Sequence, residues 1–145
     1  MTTKEAAKLW GVSRETATEY CTQGIVPGAV KDKNDRWQIP DGTPKPMSKD
    51  KLAKLLQYAD QDGWDQFSKT FSLDPEQTRQ VLCYFENMNL VYSKEGNAYL
   101  TNAGKILVDQ QNAKKRKVNW KQMLSFTTEL VKLVQAVLPI LTNLL

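Results

Sequence analysis

The chain contains no histidine and only two cysteines among its 145 residues. Histidine is the side chain whose ordinary pKa lies near neutrality, and two cysteines alone cannot complete a zinc site. The sequence also lacks a Gly-x-Ser-x-Gly elbow, a Gly-x-Gly-x-x-Gly loop and a P-loop. We therefore expect that the protein is not an enzyme and that it binds neither a metal ion nor any other cofactor.

Signals for secretion and for membrane insertion are equally scarce. The N-terminal residues Met-Thr-Thr-Lys-Glu do not form a basic segment followed by an apolar one. No uncharged apolar run reaches the roughly 20 residues that span a bilayer. Cys21 and Cys83 both lie in predicted helices near apolar faces, which favours buried thiols in a reducing compartment. We expect a cytoplasmic protein without a membrane partner.

The formal net charge of +4 is unevenly distributed along the chain. Residues 1–46 carry 7 basic and 6 acidic side chains, residues 47–112 carry 7 and 9, and residues 113–145 carry 6 and 1. Phosphate binding depends on local clusters of lysine and arginine, so the modest total charge does not by itself indicate nucleic acid. Residues 47–112 carry more acidic than basic side chains, so this middle part is the least suited to binding phosphate.

Two helices separated by a very short connection are predicted near the N-terminus. Thr2 and Glu5 have the spacing of a capping box, which predicts a helix over residues 3–10. Ser13 is a favourable N-cap for a second helix, and Gly24 can end that helix in a left-handed conformation. The residues between the helices, Gly-Val-Ser, leave almost no loop. This tight connection is what a helix-turn-helix requires.

The second helix is expected to be the DNA-recognition helix, followed by a β-hairpin wing. Ala17, Tyr20 and Cys21 share one face at helical spacing and should point inward, which leaves polar side chains outside. Apolar runs over residues 25–30 and 37–40 enclose a polar turn that contains three positive charges. The predicted DNA-binding residues are Ser13, Arg14, Glu15, Thr16 and Thr18 on the helix, and Lys31, Lys33, Asn34 and Arg36 on the hairpin.

These residues resemble the winged helix-turn-helix of MerR-type regulators and phage excisionases. The matching stretches are Thr-Lys-Glu-Ala-Ala at 3–7, Gly-Val-Ser at 11–13, Gly-Ile-Val-Pro-Gly at 24–28 and Arg-Trp-Gln-Ile-Pro at 36–40. The resemblance implies a recognition helix in the major groove and a wing on the neighbouring backbone. Thr18 stands where MerR-type activators usually carry arginine, and no long dimerising coiled coil follows. The excisionase-like use of the module is therefore favoured.

Residues 41–46 contain two prolines and a glycine but no apolar residue. They cannot continue a helical or strand periodicity, so they predict an extended linker and a domain boundary that a protease should cut near residues 43–47. Three helices should follow, beginning after Ser48, at Trp64 and after Asp74. The side chains expected to point inward from the third helix are Thr78, Val81, Leu82 and Phe85.

A second hairpin and a further helix complete the middle part. Residues 90–93 and 98–101 are rich in β-forming side chains and are joined by a predicted four-residue loop. The next helix should run to about residue 111 with Ile106, Leu107 and Gln110 on its inner face. This order of elements predicts a second winged helix over residues 47–112. The stretch Tyr-Leu-Thr-Asn-Ala-Gly-Lys at 99–105 resembles the strand-to-helix passage of winged helices in transcription regulators.

The sequence leaves open whether residues 47–112 bind DNA or a protein partner. The outer side of the third helix is neutral to acidic, which favours protein contacts. The basic run that follows can be a solvated linker, an auxiliary phosphate contact or a contact with an anionic membrane surface. The candidate auxiliary DNA-binding residues are Gln77, Arg79, Lys94, Lys114, Lys115, Arg116 and Lys117.

Residues 119–145 predict an amphipathic helix with an unusually broad apolar stripe. Apolar side chains occupy four adjacent heptad positions, more than a two-stranded coiled coil uses. Self-association into a dimer or a higher oligomer is therefore expected, with packing on the chain's own domain and membrane contact as alternatives. The predicted oligomerisation residues are Met123, Leu124, Phe126, Leu130, Val131, Leu133, Val134, Val137, Leu138, Leu141, Leu144 and Leu145.

The predicted fold is mainly α with small β-hairpins, as two tandem winged helix-turn-helix domains followed by a C-terminal amphipathic helix. The expected divisions are 1–46, 47–112 and 113–145. The expected function is sequence-specific binding of double-stranded DNA, as a transcription regulator or accessory factor of phage, plasmid or mobile-element type at a bacterial nucleoid. The alternative is an assembly or partner-binding protein that uses DNA as a scaffold.

Overall fold

The computed structural model describes residues 1–114 and 120–144, and the described chain is mainly helical with two small antiparallel sheets. This confirms the predicted class of helices with small hairpins. The helices are α1 Thr3–Trp10, α2 Arg14–Thr22, α3 Lys49–Asp62, α4 Trp64–Thr70, α5 Pro75–Asn87, α6 Asn102–Ala113 and α7 Trp120–Leu144. The strands are β1 Val30–Lys31, β2 Trp37–Gln38, β3 Val91–Lys94 and β4 Asn97–Leu100.

Most helices begin where the sequence places a capping side chain. A side-chain oxygen that accepts a hydrogen bond from a first-turn amide satisfies a donor that the helix leaves unpaired. Thr2 and Asp74 both form complete capping boxes, with Glu5 and Gln77 as their partners. The simpler caps are Ser13, Ser48 and Thr101, which accept from Thr16, Lys51 and Gly104 respectively.

The buried side chains form a small cluster near the N-terminus and a larger one in the rest of the chain. The small cluster joins the inner faces of α1 and α2 to the hairpin, through Ala6, Ala7, Trp10, Ala17, Cys21, Val26 and Ile39. The larger cluster draws on all five later helices and on β3. Ile25 belongs to the larger cluster and Tyr20 lies against both, so the two parts of the chain touch. A domain boundary after residue 46 therefore stays a prediction.

The segment between the two parts is partly buried, although Asp41, Gly42 and Lys45 are exposed. Thr43 and Met47 are each only 1% exposed, and Pro46 is buried as well. The backbone of residues 41–46 forms neither helix nor strand, as its prolines dictate. Proteases need an exposed and flexible backbone, so cleavage near residues 43–47 stays a prediction for this partly buried segment.

Helix α7 packs on α5 and α3 of its own chain. This placement corrects the oligomerisation assignment for six side chains, which are buried in the protomer: Met123, Phe126, Leu130, Leu133, Val134 and Val137. Val131 and Leu138 pack partly against the same cluster, whereas Leu124 is 37% exposed. The side chains of Leu141, Leu144 and Leu145 lie outside the described residues. Packing within the chain, an alternative at the level of sequence, therefore accounts for most of the stripe.

The stretch Lys121–Ile140 of α7 is long and apolar enough to cross a membrane by length and composition. That evidence is weak, because the core helix of a soluble protein passes the same test. Met123 and Leu130 of this stretch are almost completely buried within the protein. The fold is therefore compatible with a soluble protein.

The second hairpin turns more tightly than predicted. Val91–Lys94 and Asn97–Leu100 pair in register with only Glu95 and Gly96 between them. Both turn residues have positive φ, 54° and 80°, which is the type I′ geometry that two-residue hairpins favour. The predicted four-residue loop is therefore wrong by one residue at each end.

The inward faces of two helices, and the burial of one cysteine, also differ from their predictions. Helix α6 buries Gly104, Leu107, Val108 and Gln111, so Ile106 and Gln110 point outward instead. Helix α5 buries Tyr84 beside Val81 and Phe85, while Leu82 is only half-buried. Cys21 is buried, and burial raises the pKa of its thiol, but Cys83 is exposed and is not the buried thiol that was expected.

Candidate DNA interface

Helices α1 and α2 are joined by a three-residue turn whose geometry depends on glycine. Gly11 has φ of 69°, a left-handed conformation that costs a glycine little. The amide of Val12 then donates to the carbonyl of Ala7 at 3.0 Å, which closes the end of α1. Ser13 begins α2 immediately afterwards. The local sequence thus produces the tight helix-to-helix connection that was predicted.

The outward side of α2 presents Arg14 and Glu15 in its first turn, and both side chains are exposed. Ser13 and Thr16 are engaged with each other, because their hydroxyl oxygens lie 2.8 Å apart and the Ser13 oxygen caps the helix. The Thr18 hydroxyl donates to the carbonyl of Arg14 at 3.0 Å. Arg14 and Glu15 are therefore the predicted helix residues with the most freedom to meet a ligand.

Asp32 organises the tip of the first hairpin. Its Oδ1 accepts from the amides of Asn34 and Arg36 at 2.8 and 3.0 Å, and its Oδ2 accepts from Gln38 Nε2 at 3.0 Å. The bond from the Arg36 amide is the largest cause that lowers the pKa of this carboxyl group. Asp32 therefore serves the turn, and the side chains of Lys33, Asn34 and Arg36 remain exposed around it.

Lys31, on the first hairpin, has an ion-pair partner and an aromatic neighbour within the protein. Its Nζ lies 3.1 Å from the Asp35 carboxylate and 5.3 Å from the centre of the Trp37 ring. Exposed ion pairs of this kind typically contribute only about 0–1 kcal/mol, so a phosphate can replace the carboxylate at little cost. The predicted contact of Lys31 with phosphate is thus compatible with its position.

One cleft of about 510 Å³ lies between the beginnings of α1 and α2 and the first hairpin. It is lined by Lys4, Arg14 and Arg36, together with Thr2, Thr3, Asp32, Asp35, Trp37 and Gln38. The three cations come from three different elements. Lys4 was not predicted as a site residue, because nothing local distinguishes it from any lysine in a first helical turn. Only the fold brings it beside Arg14 and Arg36.

The candidate auxiliary residues of the second part are not gathered into one site. Gln77 is occupied by the capping box of α5, where its Oε1 accepts from the Asp74 amide at 3.1 Å. Arg79 bonds both carboxylate oxygens of Glu76 at 2.6 Å. Lys94 is exposed on β3, and Lys114 pairs with the Asp50 carboxylate at 3.0 Å. Lys115, Arg116 and Lys117 lie outside the described residues.

No protein-family pattern, curated protein or solved structure matches this chain. The resemblance of residues 1–46 to a winged helix-turn-helix therefore stays a prediction. The residues concerned form two capped helices, a three-residue turn and a hairpin. The cleft is lined by three cations and two carboxylates, so its balance is positive, and guanidinium and ammonium groups from separate elements suit an anionic phosphate oxygen. It is called the cationic cleft below.

Proposed function

We propose that this chain is a sequence-specific DNA-binding protein whose residues 1–46 read double-stranded DNA. The observation that carries the proposal is the convergence of Lys4, Arg14 and Arg36 in one cleft beside the first turn of α2. Recognition helices of this kind contact base edges with their N-terminal residues while neighbouring segments hold the phosphates. The position of this cleft, beside the first turn of α2, supports such a division of contacts.

Base reading falls to the exposed side chains at the beginning of α2. An arginine there can form two parallel hydrogen bonds with O6 and N7 of a guanine, and a glutamate can accept from the N4 amino group of a cytosine. Arg14 and Glu15 have these groups and are exposed. Thr18, one turn further on, offers a methyl group that suits the methyl of thymine. Ser13 and Thr16 support the beginning of the helix.

Phosphate contacts fall to Lys4 and to the hairpin. Lys33, Asn34 and Arg36 are exposed at the hairpin tip and can donate to phosphate oxygens without distinguishing bases. Such contacts release counterions, so affinity should fall steeply with salt. They position α2 but carry no sequence information.

The second part is proposed to adopt the winged-helix order without acting as a second DNA reader. Its elements follow the order α3, α4, α5, β3, β4, α6, but α7 packs against α5, the helix that would have to enter a groove. Arg79, the cation of α5, is paired with Glu76. Contacts with another protein therefore suit this part better than DNA. The proposed role of the whole chain is that of a phage-, plasmid- or mobile-element-type regulator or accessory factor in the cytoplasm.

Selection from a randomised pool of duplex DNA tests the proposal. The wild-type chain should enrich one short sequence, and fluorescence anisotropy should show that this sequence is preferred over unselected DNA. Arg14→Ala should lower the preference, because a bidentate base contact is typically worth about 1–3 kcal/mol. Lys69→Ala is the matched control, since Lys69 is exposed on α4 and belongs to none of the candidate DNA-binding sets. Failure to enrich any sequence, or an unchanged preference in Arg14→Ala, would reject base reading by α2.

A further inference from the structure

A second cleft, of about 450 Å³, lies between the α3–α4 junction, the β3–β4 hairpin and α6. Its floor is apolar, with Leu56, Ala59, Leu100 and Val108. Its walls and rim combine aromatic rings with charged groups: Trp64, Tyr92, Tyr99, Asp60, Asp109 and Lys105. The proposed DNA interface uses none of these residues.

Two tyrosines are exposed on the hairpin side of this cleft. Tyr92 and Tyr99 are 48% and 46% exposed, although they face each other across the strands with ring centres 5.6 Å apart. The ring of Trp64 packs on Phe67 and Phe85 at 5.2 and 5.9 Å, which fixes its position at the opposite wall. The faces of such rings attract cations, and the attraction grows when water is displaced.

The charged groups around the rings also favour a cationic ligand. Asp60 comes from the end of α3 and Asp109 from α6, so carboxylates lie on two sides of the cleft. Lys105 is the single cation among its lining residues, and in the part of the chain that the structure describes no ion pair joins it to either aspartate. The lining therefore has a negative balance, which repels phosphates and attracts ammonium or guanidinium groups.

A free strand edge borders the same cleft. Ala98 and Leu100 are half-buried and alternate with the exposed Tyr99, yet all three line the cleft, so it follows the edge of β4. Within the described residues β4 pairs only with β3. An extended peptide can hydrogen-bond to an unpaired edge of this kind while its alternate side chains enter neighbouring pockets. This favours a polypeptide occupant over a small molecule.

We propose that this cleft binds an extended segment of a partner protein that carries an arginine or lysine between apolar residues. The cationic side chain lies among Trp64, Tyr92 and Tyr99 and faces Asp60 and Asp109, while the apolar neighbours cover the floor. Main-chain bonds to β4 hold the segment extended. The inference goes beyond DNA binding and assigns the second part of the chain a partner of defined chemistry.

A pair of peptides and two matched double variants test it with the full chain. The probes are fluorescein-labelled Gly-Leu-Arg-Leu-Gly and the same peptide with neutral citrulline in place of arginine. The arginine peptide should bind about tenfold tighter or more, because citrulline keeps the shape but removes the charge. Asp60→Asn with Asp109→Asn should abolish that difference. Asp62→Asn with Asp65→Asn removes the same charge from exposed positions outside the lining, and should leave the difference unchanged.

Two further readouts locate the peptide. In nuclear magnetic resonance spectra of the isotope-labelled protein, the indole signal of Trp64 should shift when the arginine peptide is added. The indole signal of Trp10, whose Nε1–H is bonded to Thr43, should not shift. Lys105→Gln should strengthen binding by removing the repelling cation. Equal affinity for both peptides, equal losses in both double variants, no binding at millimolar concentration, or displacement by single-stranded DNA would each overturn the proposal.

Discussion

The indole Nε1–H of Trp10 donates a hydrogen bond to the backbone carbonyl of Thr43 at 2.8 Å. This bond joins α1 to the proline-rich segment that follows the first hairpin. The N-terminal amine reinforces the attachment, because it bonds the carbonyl of Ile39 and lies 2.9 Å from the Asp41 carboxylate. The segment after residue 40 is therefore fastened to the N-terminal part, although its composition resembles that of a free linker.

Replacing Trp10 by phenylalanine should loosen this segment. The variant keeps an aromatic ring in the small cluster but leaves the buried Thr43 carbonyl without its donor, which typically costs about 1–3 kcal/mol. Limited proteolysis followed by mass spectrometry should show faster cleavage at residues 43–47 than in the wild type. Trp37→Phe, on the hairpin, is the control and should not change the rate there. Equal rates in all three proteins would mean that the Trp10 bond does not restrain the segment.

Two leucines of α7 distinguish packing within the chain from packing between chains. Leu130 is fully buried and Leu124 is 37% exposed. Leu130→Ala should lower the free energy of unfolding by about 2–5 kcal/mol, the usual cost of emptying a core site. Leu124→Ala should cost on the order of 1 kcal/mol or less. Urea denaturation followed by circular dichroism measures both changes.

Protein concentration provides the check on that interpretation. If α7 packs on its own chain, the wild-type urea midpoint should not depend on concentration. A midpoint that rises with concentration, and that loses this dependence in Leu130→Ala, would show instead that the stripe is buried between protomers, because only association makes stability depend on concentration.

Gly104 is required by a close approach of two backbones. A Cβ atom at this position would lie 2.2 Å from the carbonyl oxygen of Leu90, which is backbone and cannot swing away. Gly104→Ala should therefore destabilise the protein by about 1–3 kcal/mol or more, even though alanine favours helices. Thermal unfolding of Ala103→Ser, at the exposed neighbour, should differ from wild type by less than about 0.5 kcal/mol. A Gly104→Ala variant as stable as the wild type would contradict this approach of α6 to Leu90.

The same contact explains which part of the fold could be predicted from sequence. Ser13, Asp74 and Thr101 each mark a helix start through a bond to the residue three positions further on, so local pattern was sufficient. The rotation of α6 depends on the meeting of Gly104 with Leu90, which are distant in sequence. No local pattern contains that information, and the predicted inner face at Ile106 was wrong.

The geometry of a site and the choice of a partner surface also depend on contacts between residues that are distant in sequence, which local pattern does not show. The broad stripe of α7 correctly indicated burial, but periodicity does not show whether the same chain or another provides the covering surface. Arg14 and Arg36 could be predicted singly from their elements. Their meeting with Lys4 depends on how α1, α2 and the hairpin pack together.

Acid should remove the electrostatic contribution that Asp50 makes to the stability of the second part. The Asp50 carboxylate accepts from Lys114 at 3.0 Å and lies 3.1 Å from Lys54, and the bond from Lys114 is the main cause that lowers its pKa below the ordinary value. A carboxyl whose pKa is lower in the folded state stabilises the protein above its unfolded pKa and loses this effect as pH falls through the folded one. The contribution should therefore be present at neutral pH and disappear in the acid range.

The Asp50→Asn variant tests the direction of this pH dependence of stability. Urea midpoints of wild type and variant should differ most near neutral pH and should converge below about pH 4, where the unfolded carboxyl is already becoming protonated. Asp50 is about half exposed, so the difference should be small and should shrink in high salt. Asp62→Asn serves as the control, because Asp62 is exposed and joins no ion pair within the described ranges. Parallel pH profiles of wild type and Asp50→Asn would disprove the assignment.

Lys4 provides the sharpest test of the cationic cleft, because α1 contains a second lysine that does not line it. Lys4 is exposed in the first turn beside Arg14 and Arg36, whereas Lys8 is exposed in the last turn. If Lys4 contacts phosphate, Lys4→Ala should weaken binding to all DNA sequences alike and lower the slope of log affinity against log salt by about one. Lys8→Ala removes the same charge from the same helix and should change the slope much less. Titrations at several salt concentrations with a selected and an unselected duplex separate these effects. Equal slopes for the two variants would mean that α1 contributes only general charge, and a loss of sequence preference in Lys4→Ala would place this lysine on a base instead of a phosphate.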